Sequence, residues 1–371
     1  MSTKESLASV FAYTAAQLQG DSVARSTDFA ELKRNVKAAG LLERQPVYYT
    51  IKFIVTTALF AIAIALLFMV AEWHISLLLL IALFWAFVYV QIGTLGHDAG
   101  HNQISRKHWK SELMGYLLGN LTIGMSRSWW VDKHNTHHAH PNQLDHDPDI
   151  DFPIIIFDEA QLADKQPWQR AIIKYQAYVF FPILALVSVS MRYHGMRVVL
   201  TQPTKNRAIE LATLILYYIS YFGMVFYALP FWEGLLFVVV HQACFGIYMG
   251  SIFAPNHKGM PILPADQKLD FLRVQVLTSR NVAGNPVTDF LYGGLNYQVV
   301  HHLFPTAPRN KLNQIHYVTK QFCEERGIPF YETGLFRSYV ELIQNLHEVS
   351  APLRNKVETA VINPLPDLSR R

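Results

Sequence analysis

The sequence predicts an all-α integral-membrane protein, with four transmembrane helices in two hairpins and a cytosolic helical cap that carries clustered histidines. Three observations point there. Of 371 residues, 51% are hydrophobic and only 16% charged, where a soluble chain carries about a quarter. The deficit concentrates in four stretches of bilayer-crossing length. Lysine and arginine collect on one side of those stretches.

Residues 1–48 read as a polar cytosolic segment, helical over Asp28–Leu42, that enters the first span through Pro46-Val47-Tyr48-Tyr49. Ile54 to Ala71 holds no charged side chain, and after Glu72 neither does Trp73 to His97. Each is close to the roughly 20 residues a helix needs to cross a bilayer. The connector around Glu72–Ser76 is short enough to predict an antiparallel hairpin. The pattern repeats as Leu211 to Leu229, a break at Pro230-Phe231-Trp232-Glu233, and Gly234 to Asn256. The expected spans are thus about 52–71, 76–96, 211–229 and 234–256, within a membrane domain of 49–308. Tyr175 to Met191 is apolar but shorter and flanked by Lys174 and Arg192, which predicts an interfacial or re-entrant helix. A cytosolic tail, 309–371, has helical stretches near Asn310–Glu325 and Ser338–Val349.

Neither short connector contains Lys or Arg, whereas Asp98 to Glu210 includes Arg106, Lys107, Lys110, Arg127, Lys133, Arg192 and Arg207. By the positive-inside tendency this segment and both termini face the cytosol. The net charge of +4 is small and dispersed. That argues against nucleic acid and for loops facing anionic headgroups. Cys244 and Cys323 make no disulfide framework, and the N-terminus lacks the layout of a signal peptide.

Seven of the sixteen histidines form three tight groups. His97 and His101, at the end of the second span, are four apart and share one helix face. His134, His137 and His138 form H-x-x-H-H, and Gln298 precedes His301 and His302 with the same spacing. His257 ends the fourth span. All lie where they can meet on one side of the membrane, and eight histidines with a glutamine suit two metals better than one. Neutral imidazole serves iron, zinc, copper and nickel alike. Neither cysteine is near a group, and no Glu-x-x-His motif of a carboxylate-bridged bundle is present.

The three boxes, H-D-x-x-H, H-x-x-H-H and Q-x-x-H-H, resemble the membrane fatty-acid desaturase family, in particular its acyl-lipid and front-end branch. Their surroundings are similar as well: Ala139-His140-Pro141-Asn142, Asp147-Pro148-Asp149, Asn296-Tyr297 and Leu303-Phe304-Pro305. Ala39-Gly40-Leu41-Leu42 before Tyr48-Tyr49 resembles bacterial members, which implies a bacterial inner membrane. Val300 stands where the family often has Glu, and no His-Pro-Gly-Gly heme segment is present.

The resemblance implies two iron ions, dioxygen as co-substrate, and removal of two hydrogens from adjacent methylenes of an acyl lipid or acyl-CoA. It implies iron ligation by His97, His101, His134, His137, His138, His257, Gln298, His301 and His302, with Gln298 binding directly or through water. Asp98 and Asp149 are candidates to accept hydrogen bonds from ligand imidazoles; a turn-forming role is the alternative for Asp149. Electrons then come from a separate ferredoxin or cytochrome b5-type donor with its reductase. Sixteen buried methylenes at about 0.8 kcal/mol each give roughly 13 kcal/mol to hold such a chain. Trp129, Trp130 and Tyr248 are candidates to line its tunnel or to anchor at the interface. Two other readings stay open: a hydroxylase with the same boxes, acting on acyl chains, alkanes or carotenoids, and a membrane metal transporter.

Overall fold

The computed structural model describes residues 6–19, 27–69 and 74–354. Most of the first connector, parts of the N-terminal segment and the end of the tail therefore lie outside the described residues. Two short helices, α1 (Leu7–Gln19) and α2 (Asp28–Ala38), precede the first long one, α3 (Pro46–Met69), and its partner α4 (Ile75–Gly100). Then come α5 (His108–Gly115), a π-helical stretch over Tyr116–Ile123, α6 (Arg127–Ala139), α7 (Pro167–Ile173), α8 (Gln176–Leu184) and α9 (Val187–Thr201). The second hairpin is α10 (Arg207–Ala228) and α11 (Phe231–His257). The remainder is α12 (Phe271–Leu277), β1 (Asn281–Val282), α13 (Pro286–Leu291), α14 (Gln298–Leu303), α15 (Leu312–Glu325), β2 (Glu332–Thr333) and α16 (Leu335–Val349).

Four helices, α3, α4, α10 and α11, are long and apolar enough to cross a membrane. They run beyond the uncharged stretches, because a helix propagates through backbone hydrogen bonds and does not stop at the first polar side chain. Thus α3 begins at Pro46 and includes Lys52, while α4 continues through His97. The outer helix α3 turns Ile51, Ile54, Ile62 and Met69 outward. In α4, Trp85 and Tyr89 pack with Tyr221 of α10 and with Phe237 and Phe245 of α11. The Trp85 indole N–H donates to the Ala63 carbonyl at 2.6 Å, which joins the first hairpin.

The apolar segment after Lys174 is two helices, α8 and α9, bent by 66°. The C-terminal ends of α4 and α11 meet, with His97 and His257 in one cluster of rings. An even number of crossings must therefore separate them, and α10 and α11 already supply two. The bent pair does not cross. It lies against α11, where Gly246 permits close approach: a methyl there would stand 2.5 Å from the Leu184 carbonyl oxygen.

The small parallel ladder β1–β2 pairs Asn281 with Glu332. Beyond the helix ends, α2, α12, α14 and α15 close a second core around Leu32, Val276, Val299, Ile315 and Phe322. This core covers the end of the bundle at which the histidines gather.

Candidate metal centre

Helix α6 is held at its N-terminus by three acceptors from three segments. Asn120 Oδ1 accepts from the Arg127 N–H (2.9 Å), buried Glu210 of α10 from Ser128 N–H (2.8 Å), and Ser126 Oγ from Trp129 N–H (3.3 Å). Helix starts leave such N–H groups unpaired and favour an acid beside them. The result orients one face of α6, with His134, His137 and His138, toward the ends of α4 and α11. Helix α14 is placed likewise: Asn281 Oδ1 on β1 accepts from the Val299 N–H at 2.9 Å.

The ring nitrogens form two groups. His97 and His101 of the α4 end, His134 of α6 and His301 of α14 each offer one nitrogen, all within 4.8 Å of one another. His137 of α6, His257 of α11 and His302 of α14 do the same. His134 Nε2 stands 3.2 Å from His97 Nε2 and 2.9 Å from His101 Nε2, and His137 Nε2 lies 3.3 Å from His257 Nε2. His138 sits between the groups, its Nε2 3.1 Å from His134 Nε2 and its ring stacked on His302 at 4.1 Å. Trp130 stacks on the His134 ring at 4.6 Å, so it belongs to the wall of this site and not to the lipid interface. Tyr248 donates to the Leu291 carbonyl, and Trp129 stacks on His194.

Outward nitrogens are tied to acceptors. Nδ1 of His137 donates to Asp147 Oδ1 at 2.9 Å, that of His302 to Gln275 Oε1 at 2.8 Å and that of His257 to the Thr278 carbonyl at 3.1 Å. An imidazole that donates through Nδ1 keeps a lone pair on Nε2, here pointing inward. The inward His302 Nε2, His138 Nδ1 and both nitrogens of His301 are buried with no partner among the described residues. Buried polar atoms are seldom left so. Burial, followed by the neighbouring rings, holds His101, His134, His138, His301 and His302 well below the ordinary histidine range. They are neutral, as metal ligation requires. The donor set fits two imidazole-bound cations.

Of the two carboxylates expected beside ligand imidazoles, Asp98 stands against His97 and Asp149 gives way to a neighbour. Asp149 pairs with Lys133 and stays 3.6 Å from His137 Nδ1, while Asp147, two residues earlier, makes the close contact. Burial opposes ionisation of Asp147, but His137, Lys258 and the Asn142 N–H together pull its carboxyl below the usual range. Asp98 Oδ1 lies 3.4 Å from His97 Nδ1, and its other oxygen meets Arg309 at 2.8 Å. Gln298 Nε2 faces His257 Nε2 at 2.9 Å. Its Oε1 accepts from Asn256 Nδ2, itself anchored on the Ile252 and Leu295 carbonyls, so the network turns the amide nitrogen toward the cluster.

Sequence reasoning missed Gln275, which ties α6 to α14 by donating to the His138 carbonyl at 3.0 Å while accepting from His302. No motif surrounds it. Asp147 stood in the quoted Asp-Pro-Asp run, and alternation with Asp149 was the available signal. Replacing Asp147 by asparagine should weaken metal binding about 10- to 100-fold, read as metal lost to a chelator of known affinity. The other histidines lie apart. His241 is hydrogen-bonded to Tyr221 within the bundle, His316 meets Asn281, and His140 stacks on His146.

The fatty acid desaturase family model matches residues 71–334. The chain belongs to the fatty acid desaturase family. Membership makes it an integral-membrane oxidoreductase, as the four helices and the buried histidines already suggested. It is 32% identical to an acyl-lipid (9-3)-desaturase of Physcomitrium patens over 87% of this chain and 62% of that protein. It is 31% identical to a Delta(6)-fatty-acid desaturase of Caenorhabditis elegans over 88% of this chain and 76% of the relative. A Delta(5) fatty acid desaturase of the same nematode is 27% identical over 89% and 76%. The chain thus spans under two thirds of the moss relative, and all three relatives are eukaryotic.

Proposed function

We propose that the chain introduces a double bond into a long acyl chain, on the carboxyl side as the Delta(5) and Delta(6) relatives do, using dioxygen and two iron ions. The observation that carries this reading is the pair of converging imidazole groups, one of which, His137, His257 and His302, already has its outer nitrogens committed to acceptors. One iron falls to His97, His101, His134 and His301, the other to His137, His257 and His302, with His138 completing the ligand set between them. Gln298 takes the water-mediated role, since the amide N–H it presents can donate but not ligate. When bound, iron would activate dioxygen, which with two electrons and two protons from the donor takes up the two hydrogens of adjacent methylenes and leaves as two waters.

The protein's share is position and exclusion of water. Asp147, Gln275 and the Thr278 carbonyl hold ring planes and tautomers. The second core covers the site beyond the ends of α4 and α11. The Lys and Arg distribution supports a cytosolic site, cytosolic termini and docking of an acidic ferredoxin or cytochrome b5-type donor. Expression in a host with a simple lipid complement and a matching donor, followed by mass spectrometry with double-bond localisation, tests the reading. A new unsaturated acid near the carboxyl end is expected. A hydroxylated acid, or no product from iron-loaded protein across several donors and acyl substrates, overturns it.

A further inference from the structure

Helix α14 is six residues long and carries Gln298, His301 and His302. A helix so short has no stability of its own, so its position is set by what grips it. Among the described residues its backbone is gripped from another segment at one point, where the Val299 N–H donates to Asn281 Oδ1 at 2.9 Å. That bond also fixes which way the Asn281 amide lies. With Oδ1 on Val299, Nδ2 is turned to His316 of α15 and meets its Nδ1 at 2.9 Å. An amide nitrogen can only donate, so His316 Nδ1 accepts and the imidazole proton sits on Nε2. His316 Nε2 faces Glu332 of β2 at 3.6 Å, and Lys320 holds that carboxylate at 3.0 Å. Asn281 and His316 are both buried, and the His316 ring packs against Tyr297 and Phe330 at 5.5 and 5.3 Å.

Lys320, Glu332, His316, Asn281 and the Val299 N–H thus stand in series, a donor facing an acceptor at every joint. The series ends on the helix that supplies one imidazole to each metal group, His301 to one and His302 to the other. We propose that His316, which lies outside both groups, is a positioning residue for the metal centre: its Nδ1 lone pair locks the Asn281 amide, and the locked amide fixes α14 and with it both imidazoles. Without that acceptor, Asn281 Nδ2 becomes a buried donor with no partner, a state that buried amides avoid by turning over or moving. A turned amide would set Nδ2 against the Val299 N–H, donor against donor, and α14 would lose its grip. The consequence for metal rests on the metal-centre reading of the histidines; the anchoring of the α14 backbone does not.

The test uses the full-length, iron-loaded protein in detergent micelles. Two quantities are read in each variant: amide hydrogen exchange over α14 by mass spectrometry, and the rate at which a chelator of known affinity removes iron. His316→Phe keeps the ring contacts and removes the acceptor. It is expected to speed exchange over α14 about tenfold, with α4 and α11 as protected as in the parent. Loss of both irons should speed about tenfold as well, because each group draws one imidazole from α14. His316→Asn places an oxygen close to where Nδ1 stood and should bring both readouts back to within about twofold of the parent. His316→Leu removes the same acceptor and serves should His316→Phe fail to fold. Parent-like protection of α14 in folded His316→Phe or His316→Leu overturns the proposal. So does a His316→Asn variant as loose as His316→Phe, since ring packing and not the lone pair would then hold the helix. Loosened α14 with unchanged iron loss overturns its part in the metal centre. A parent that retains no iron would overturn the metal reading instead, and exchange over α14 would still decide the anchor.

Discussion

His301→Ala should abolish desaturation and remove about half of the bound iron, a loss exceeding the roughly 10- to 100-fold expected when a residue behind a ligand is changed. The His301 ring packs against His97, His101 and His138, with centroids 4.7, 4.9 and 4.8 Å away. Neither of its nitrogens has another partner among the described residues, so its removal strands no hydrogen bond. The fold should therefore survive, its melting temperature lowered only by the lost iron and the small cavity, while one group falls from four imidazoles to three. Iron counted by mass spectrometry and product measured in the same preparation check this. Full activity with two irons retained would rule out the ligand assignment. Asp147→Asn, by comparison, should slow metal retention and leave the ligand count intact.

The second large effect is on stability. Arg280 is wholly buried, with Nη1 2.5 Å from Glu341 of α16 and its other terminal nitrogen on the Lys258 carbonyl. Glu341 is also buried and accepts from Tyr331 (2.7 Å) and Arg337 (2.9 Å). Without Arg280, buried Glu341 keeps only the largely exposed Arg337 as a cation, so the cost approaches from below the roughly 3–5 kcal/mol of a broken buried pair. Arg280→Met should accordingly lower the melting temperature in detergent sharply. It should also loosen iron at the His257 group, since Lys258 directly follows that ligand. The double variant Arg280→Met, Glu341→Leu should regain most of the loss, because replacing both charges removes the stranded one. A single variant as stable as the parent would show that the pair carries little.

Much of the architecture was legible because bilayer crossing imposes a length and the histidine spacings impose a face. The four spans and the convergence of their ends followed from where charge is missing. What was hidden lies in pairings between distant segments. Gln275 with His302, Arg309 with Asp98 and Arg280 with Glu341 each join residues whose local sequence has no distinguishing pattern. The choice between Asp147 and Asp149 turned on a loop path in which Asn142 and Asp145 take positive φ, at 52° and 63°, and nothing in the composition announces that path. The bend between α8 and α9 was likewise visible only as an apolar segment of ambiguous length.

One consequence follows from α6 contributing to both metal groups. His134 and His137 belong to different groups but to one continuous helix, three residues apart. The helix rises about 1.5 Å per residue, so their backbones are offset by about 4.5 Å along its axis, and their rings stand 6.2 Å apart. The spacing of any two ions held by these groups would then follow backbone pitch, like a scale engraved on a rigid rod. Side-chain changes around the site would alter how tightly an ion is held more readily than they would alter that interval. A single inserted residue between His134 and His137 would turn the second ring by about 100° and take the pair out of register.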